Sequence, residues 1–365
     1  MKACSIELSK PIRFFDAHCD AVIKILDHGV DFFVGSGEAH VSYPALRAGN
    51  IAVQVFACFV LSAQYPGAER PRAEEMIEAL VRLAGVSDGG MTVVKTAADL
   101  PAAGDDGIGA ILALEGADPL EGRAENLRGF YDLGIRSVIF AWQDNAFSGT
   151  AFGADTPLSA AGERLLGLCE ELGVMVDVSH LSDSAFDDVR NQATRPFIAS
   201  HSNCRALCPS LRNLTDPMIR TLADSGGVMG INLAPAFLSP EACSAWAAIR
   251  SRMNNVEGVA DPFDPRIGAL AASVPRPAID WVAKHVRHAI DIGGENCVGI
   301  GGDLDGILQT PVGIETIADY PAIVPVLERA GLSQRQIDKV TCENFLRVFS
   351  EVLPAGERST RCPAC

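Results

Sequence analysis

Ile12-Arg13-Phe14-Phe15-Asp16-Ala17-His18-Cys19-Asp20 is the stretch that decides how this chain is read. A short, mostly apolar run of this length reads as a buried strand rather than a helix. Alternate residues of a strand point to one side. The His18 imidazole and the Asp20 carboxylate therefore aim at a common point, and Cys19 between them turns away into packing. Such a pair is half of a divalent metal site. Alone it is a weak signal, and it gains meaning only if other strands end in further ligands.

Seven more runs of this kind occur along the chain. With the first, the candidate strands are 12–17, 51–59, 108–114, 137–141, 174–178, 196–200, 228–233 and 297–301. Several are near-continuous apolar runs, as expected of parallel strands buried on both faces. Helical patterns fill the gaps. Within 72–84, Met76, Leu80 and Leu83 recur at spacings of four and three, and 160–172 places Leu165, Leu166, Leu168 and Cys169 on one side. Thr215-Asp216-Pro217 offers a polar cap with a proline just inside a helix. Eight strands alternating with helices predict an α/β fold, the (β/α)8 TIM barrel, with residues 1–353 as a single catalytic domain.

Two stretches depart from the bare repeat. Residues 91–95 read as a short extra strand between the second and third barrel strands. Residues 239–277 form a long connection after the seventh strand, either a lid on the C-terminal face or a surface insertion. Residues 354–365 read as a disordered tail. Its Cys362-Pro363-Ala364-Cys365 lacks the second pair that a structural zinc site needs.

Composition narrows the function. The chain has 365 residues, 48% of them hydrophobic, and a formal net charge of −16. That charge argues against nucleic acid, whose binding leans on Lys and Arg. No window approaches the roughly 20 apolar residues of a membrane span, and no secretory signal is evident. The eleven cysteines are scattered and odd in number, which reads as reduced thiols. A soluble, cytoplasmic protein without membrane contact is expected.

The candidate strand ends carry the chemistry. The first ends in His18 and Asp20, the third in Glu115, the fifth leads into His180, the sixth into His201, and the eighth into Asp303 and Asp305. This is the rim on which barrel enzymes build their sites. Two neighbouring divalent cations need a carboxylate between them, and Glu115 is the natural bridge. His18 and Asp20 would complete one ion, and His180 and His201 the other. Mixed imidazole and carboxylate ligands suit zinc. A water bridging two such ions loses its proton near neutral pH and becomes a nucleophile. Asp303, left off the metals, could carry the proton to a leaving amine.

Each of these residues also has an ordinary explanation. A lone strand-end histidine is usually a hydrogen-bonded packing residue, and Asp303-Leu304-Asp305-Gly306 is common turn chemistry. Coincidence decides for the metal reading, because three of only seven histidines fall at strand ends beside acids or one another. His28, His40, His285 and His288 fall in helical or loop contexts and read as solvated.

These motifs resemble the membrane (renal) dipeptidase family, a branch of the metal-dependent amidohydrolase barrels. The resemblance runs from about residue 15 to residue 349. It rests on Asp16-Ala17-His18-Cys19-Asp20, Leu114-Glu115-Gly116, Leu158-Ser159-Ala160-Ala161-Gly162, Val176-Asp177-Val178-Ser179-His180, Ser200-His201-Ser202, Gly301-Gly302-Asp303-Leu304-Asp305-Gly306 and Asn344-Phe345-Leu346-Arg347-Val348-Phe349. It implies hydrolysis of dipeptides, including those with a D-residue at the C-terminal position, by two zinc ions. His18 and Asp20 would hold one zinc, His180 and His201 the other, with Glu115 and a hydroxide as bridges. It also implies Asp303 as proton shuttle and substrate contact, and a homodimer. Arg212, in Ser210-Leu211-Arg212-Asn213, would pair with the substrate's C-terminal carboxylate. A guanidinium fork suits that task, although the residue pattern alone reads Arg212 as a surface residue.

The chain departs from the family at one instructive place. Where a histidine usually ends the fourth strand, the run is Phe140-Ala141-Trp142-Gln143-Asp144-Asn145, with Trp142 in the histidine's place. An indole has one N–H donor and no basic nitrogen. The family's frequent Glu-Gly-Gly-His is likewise Glu115-Gly116-Ala117-Asp118. Losing one oxyanion donor can cost about 100- to 1,000-fold in rate, and the Trp142 indole or Gln143 is the substitute at hand. Dipeptide hydrolysis therefore has two rivals. One is hydrolysis of another small amide, a lactam, a lactone or a phosphoester. The other is a catalytically weak metal- or ligand-binding relative.

Overall fold

β1 (Phe14–Cys19), β2 (Ile51–Phe59), β3 (Met91–Val93), β4 (Ile108–Glu115), β5 (Ile135–Ile139), β6 (Met175–Asp177), β7 (Ile198–Ala199), β8 (Val228–Ile231) and β9 (Val298–Ile300) lie parallel in one sheet. They are seen in a computed structural model that describes residues 12–37, 39–102, 105–253 and 265–357. The order is β2-β1-β9-β8-β7-β6-β5-β4, and β2 pairs back onto β4, which closes an eight-stranded (β/α)8 barrel. β3 is the expected extra strand. It runs beside the first half of β4, from Met91 against Ile108 to Val93 against Ala110. β5 takes over beside the second half, from Leu112 against Ile135 to Glu115 against Ile139.

The strands form where apolar residues run on, because both faces are covered. Every residue of β2 and β4 is buried. Phe15, Ala17, Val53, Val55, Ile111 and Ala113 fill the barrel interior. The helix Asn344–Val352 plugs its floor, with the Phe345 and Phe349 rings each 5.3 Å from that of Phe15. Phe14, Cys19, Phe56, Leu112 and Leu114 pack outward under the helices.

Simple alternation would carry Ala17 and Cys19 to the same face. The register shows why they part. Asp16 pairs with Gln54 and Cys19 with Phe56, so β1 holds one residue more than β2 over this span. Such a bulge re-aims side chains. It turns His18 inward beside Ala17 while Cys19 packs outward.

Helix boundaries are set by their caps. Ser159 and Ser182 accept backbone N–H bonds at the starts of Ala160–Leu172 and Asp183–Gln192, and Thr215 does so before Asp216–Asp224. The connection after β8 is partly helical. It contains the helices Pro240–Met253 and Pro265–Ala271, and Ala242, Ile249 and Val274 form a small core of their own with Trp246 against it. Pro354 is tied down, its carbonyl accepting from the Ala97 N–H at 2.9 Å. Cys362 and Cys365 lie outside the described residues. Among the described residues, no helix is long and apolar enough to cross a membrane.

Candidate metal centre and substrate cavity

Five of the proposed strand ends deliver their polar side chains to one place. His18 stands in β1 with Asp20 just beyond it, and Glu115 is the last residue of β4. His180, His201 and Asp303 come after β6, β7 and β9. His180 and Asp303 hold left-handed backbone, with φ of 68° and 60°. That conformation costs a non-glycine residue free energy and clusters at functional sites.

The contacts are short. His18 Nε2 lies 3.2 Å from Glu115 Oε2 and 3.5 Å from Asp20 Oδ2. His180 Nε2 lies 3.1 Å from Glu115 Oε1, and His201 Nε2 lies 3.8 Å from the same oxygen. The Nε2 atoms of His180 and His201 face each other at 2.9 Å. Two sets of ligand atoms are each close enough to share an ion, His18 with Glu115 and His201, and His18 with Asp20 and Asp303.

Charge and burial explain what this cluster needs. Burial drives the His180 pKa down to about 3, with the Arg212 charge adding to it, and holds His201 well below the usual range. Both imidazoles are neutral, with a nitrogen lone pair to offer. Burial opposes a charge on His18, but Glu115 and Asp20 overcome it and raise its pKa well above the usual value. Glu115 is held low against burial by His18 and His180. Burial and the Glu115 charge push Asp20 up, and burial lifts Asp303 to about 6.

His18 Nδ1 and Asp20 Oδ1 are buried with no hydrogen-bond partner. Orphaned buried atoms carry a desolvation cost that a cation would remove. Imidazole and carboxylate donors of this kind fit a divalent transition metal.

A second tier fixes these groups. Ser200 Oγ lies 2.7 Å from His201 Nδ1, which occupies that nitrogen and leaves Nε2 facing the cluster. Asp177 accepts the backbone N–H groups of Ser179 and Ser200 at 2.9 and 3.0 Å. Asn232, at the end of β8, donates to Asp303 Oδ2 at 2.8 Å. Gly306 matters for its missing side chain, since a Cβ there would collide with the carboxylates of Asp20 and Asp303. The motif pattern does not single out Asn232 or Gly306 as site residues. A polar residue ending an apolar strand is the only signal for Asn232.

Other expectations need correction. Arg212 is no surface residue. It is 3% exposed, donates to Ser202 Oγ at 2.8 Å and to the His201 carbonyl at 3.1 Å, and packs 5.9 Å from the Phe237 ring centre. Its Nε is buried without a partner. His285 is fully buried, accepting from the Cys204 N–H and lying 2.9 Å from the Leu238 carbonyl. His40 is half-buried and accepts from the Asp305 N–H. Each joins distant segments through its ring, and His285 is shut off from solvent. Gln143 lines the same cavity as the cluster and donates at 3.4 Å to Asp118, which also gathers Ser62 and Asn145.

The cluster opens into a cavity of about 510 Å³. Asp20, Glu115, His180 and Asp303 line its inner end. Trp142 stands beside them, its ring 4.8 Å from Phe59 and 6.1 Å from His180. The outer wall comes from the connections after β5, β8 and β9, and includes Phe152, Phe237, Trp246, Arg250 and Leu308.

Comparison with known proteins places this geometry. The family described as Membrane dipeptidase (Peptidase family M19) matches residues 4–361. An uncharacterized Klebsiella pneumoniae protein of the pqqA 5′ region is 31% identical over 287 residues, 76% of this chain and 95% of that protein. Mouse Dipeptidase 3 is 30% identical over 257 residues, 68% of this chain, and those residues span 45% of its own length. A metallopeptidase from Rhodobacter sphaeroides, solved with a phosphinate mimic of the dipeptide L-Ala-D-Ala, superposes with a TM-score of 0.80 at 26% identity, covering 94% of this chain and all of that one. A barrel whose strand ends gather imidazoles and carboxylates, matched along nearly its whole length, belongs to the membrane dipeptidase family, and the chain is a metal-dependent hydrolase of the dipeptidase class.

Proposed function

We propose that the chain hydrolyses dipeptides at a two-zinc centre, including dipeptides with a D-residue at the C-terminal position. The observation that carries this is the convergence of His180 Nε2, His201 Nε2 and Glu115 Oε1 on one point, with His18 Nε2 against Glu115 Oε2 and the unpartnered Asp20 Oδ1 beside it. Under this reading His18 and Asp20 would hold one ion and His180 and His201 the other, with Glu115 as a ligand available to both. Bound there, the ions supply a Lewis acid for the amide carbonyl and an activated water as nucleophile.

The remaining roles fall to side chains. Asp303, lifted to about 6 by burial and oriented by Asn232, takes a proton and returns it to the departing amine. Arg212 reads the substrate's free carboxylate, which its unpartnered Nε and buried charge favour. Trp142 closes the inner wall beside His180 and keeps water from the reacting bond. The ligand in the Rhodobacter sphaeroides relative, a mimic of L-Ala-D-Ala, supports the C-terminal D-residue.

The test is release of amino acids by purified, zinc-loaded protein across a dipeptide panel that includes L,D pairs. Turnover that disappears on chelation and returns with zinc is the expected result. No release from any member of the panel would end this reading.

A further inference from the structure

The geometry points to an aromatic subsite in the outer half of the cavity, one that selects dipeptides carrying a large aromatic side chain. This deepens the dipeptidase reading and rests on it. The inner end of the cavity belongs to the metal cluster, so a dipeptide whose amide sits there must send a side chain outward. What it meets is a wall of rings. Phe59 and Trp142 pack together at 4.8 Å on the inner side, and Phe152 and Phe237 lie at 6.4 Å farther out. Trp246 and Leu308 add to this wall, beside the polar groups of Asp144, Arg250 and Gln309.

Three observations give this wall a purpose. About 510 Å³ falls within the range of cavities that enclose small organic ligands, far more room than two alanine residues fill. Phe152 is 45% exposed and Leu308 37% exposed, and both line the cavity, so apolar surface there is left open to a ligand. The wall is also held in position. Arg250 lies over the Phe152 ring at 3.9 Å, and Trp246 is carried by a helix with its own small core. Offset and tilted rings at such spacings are the geometry aromatic groups prefer.

The experiment compares kcat/KM of the zinc-loaded enzyme for Ala-Ala, Phe-Ala, Ala-Phe and Ala-Glu, with L- and D-forms of the second residue. A Phe-containing dipeptide should exceed Ala-Ala on the order of 100-fold. Trp246→Ala should collapse that ratio about 10-fold, and Trp246→Phe should restore most of it. Equal kcat/KM for Ala-Ala and the Phe dipeptides would overturn the proposal. So would a preference for Ala-Glu, which would assign the outer chamber to the Arg250 charge rather than to the rings. If no dipeptide is cleaved, the dipeptidase reading fails and the subsite is judged by binding. Calorimetry should then show N-acetyl-phenylalaninamide binding at least about 10-fold tighter than N-acetyl-alaninamide, with the difference lost in Trp246→Ala. Equal binding of the two would overturn the subsite on its own.

Discussion

The two ends of the cavity are built by opposite means. At the inner end, His18, Glu115, His180 and His201 sit on or within three residues of barrel strands, and backbone N–H groups, serines and Asp177 fix the turns that carry them. At the outer end, Phe152, Phe237, Trp246 and Leu308 hang on connections between strands and helices, and one of these connections folds around a small core of its own. Chemistry that needs sub-ångström placement is anchored on the rigid sheet. Recognition of a side chain is left to segments that can vary without disturbing the barrel.

Removing metal should have the largest effect. Chelation should abolish dipeptide hydrolysis while leaving the outer wall able to bind N-acetyl-phenylalaninamide. Glu115→Gln should do nearly the same by lowering bound zinc below two per chain, measured by elemental analysis. Next comes Asp303→Asn, which should lower kcat by about 100- to 10,000-fold with zinc content unchanged. Steady-state kinetics beside metal analysis would check this. Loss of zinc in that variant would show Asp303 to be a ligand instead.

Smaller effects separate positioning from chemistry. Arg212→Ala should lower kcat/KM about 10- to 100-fold for dipeptides with a free carboxylate and far less for their C-terminal amides. Equal losses for both would remove Arg212 from substrate recognition. Asn232→Ala, which frees the Asp303 carboxylate, should cost roughly 10-fold in kcat and move the acidic limb of the pH profile. Ile249→Ala should act on the outer end alone. It should destabilise the inserted helices by about 2–5 kcal/mol, seen as earlier proteolysis between residues 240 and 274, and leave zinc content intact.

The inner end was legible in the sequence because each polar residue of the cluster lies near the C-terminal end of an apolar strand. His18, Glu115, His180, His201 and Asp303 all stand at or just past the end of such a run. The bulge in β1 was not legible, since an extra residue leaves no compositional trace, although it is what brings His18 inward past Ala17. Arg212, His40 and His285 were misplaced for a related reason. Each is held by partners distant in sequence, such as Arg212 against the Phe237 ring, His285 at the Leu238 carbonyl and His40 at the Asp305 N–H. The outer wall was least legible. Trp246 and Arg250 sit in a stretch without strand periodicity, and only the three-dimensional path of that stretch brings them to the cavity.

The two-ion assignment meets its most direct test in a crystal structure of the zinc-loaded protein with anomalous data collected at the zinc edge. Two peaks on either side of the Glu115 carboxylate are the predicted result, one touching His18 and Asp20 and the other His180 and His201. A single peak, or two peaks that do not share Glu115, would contradict it.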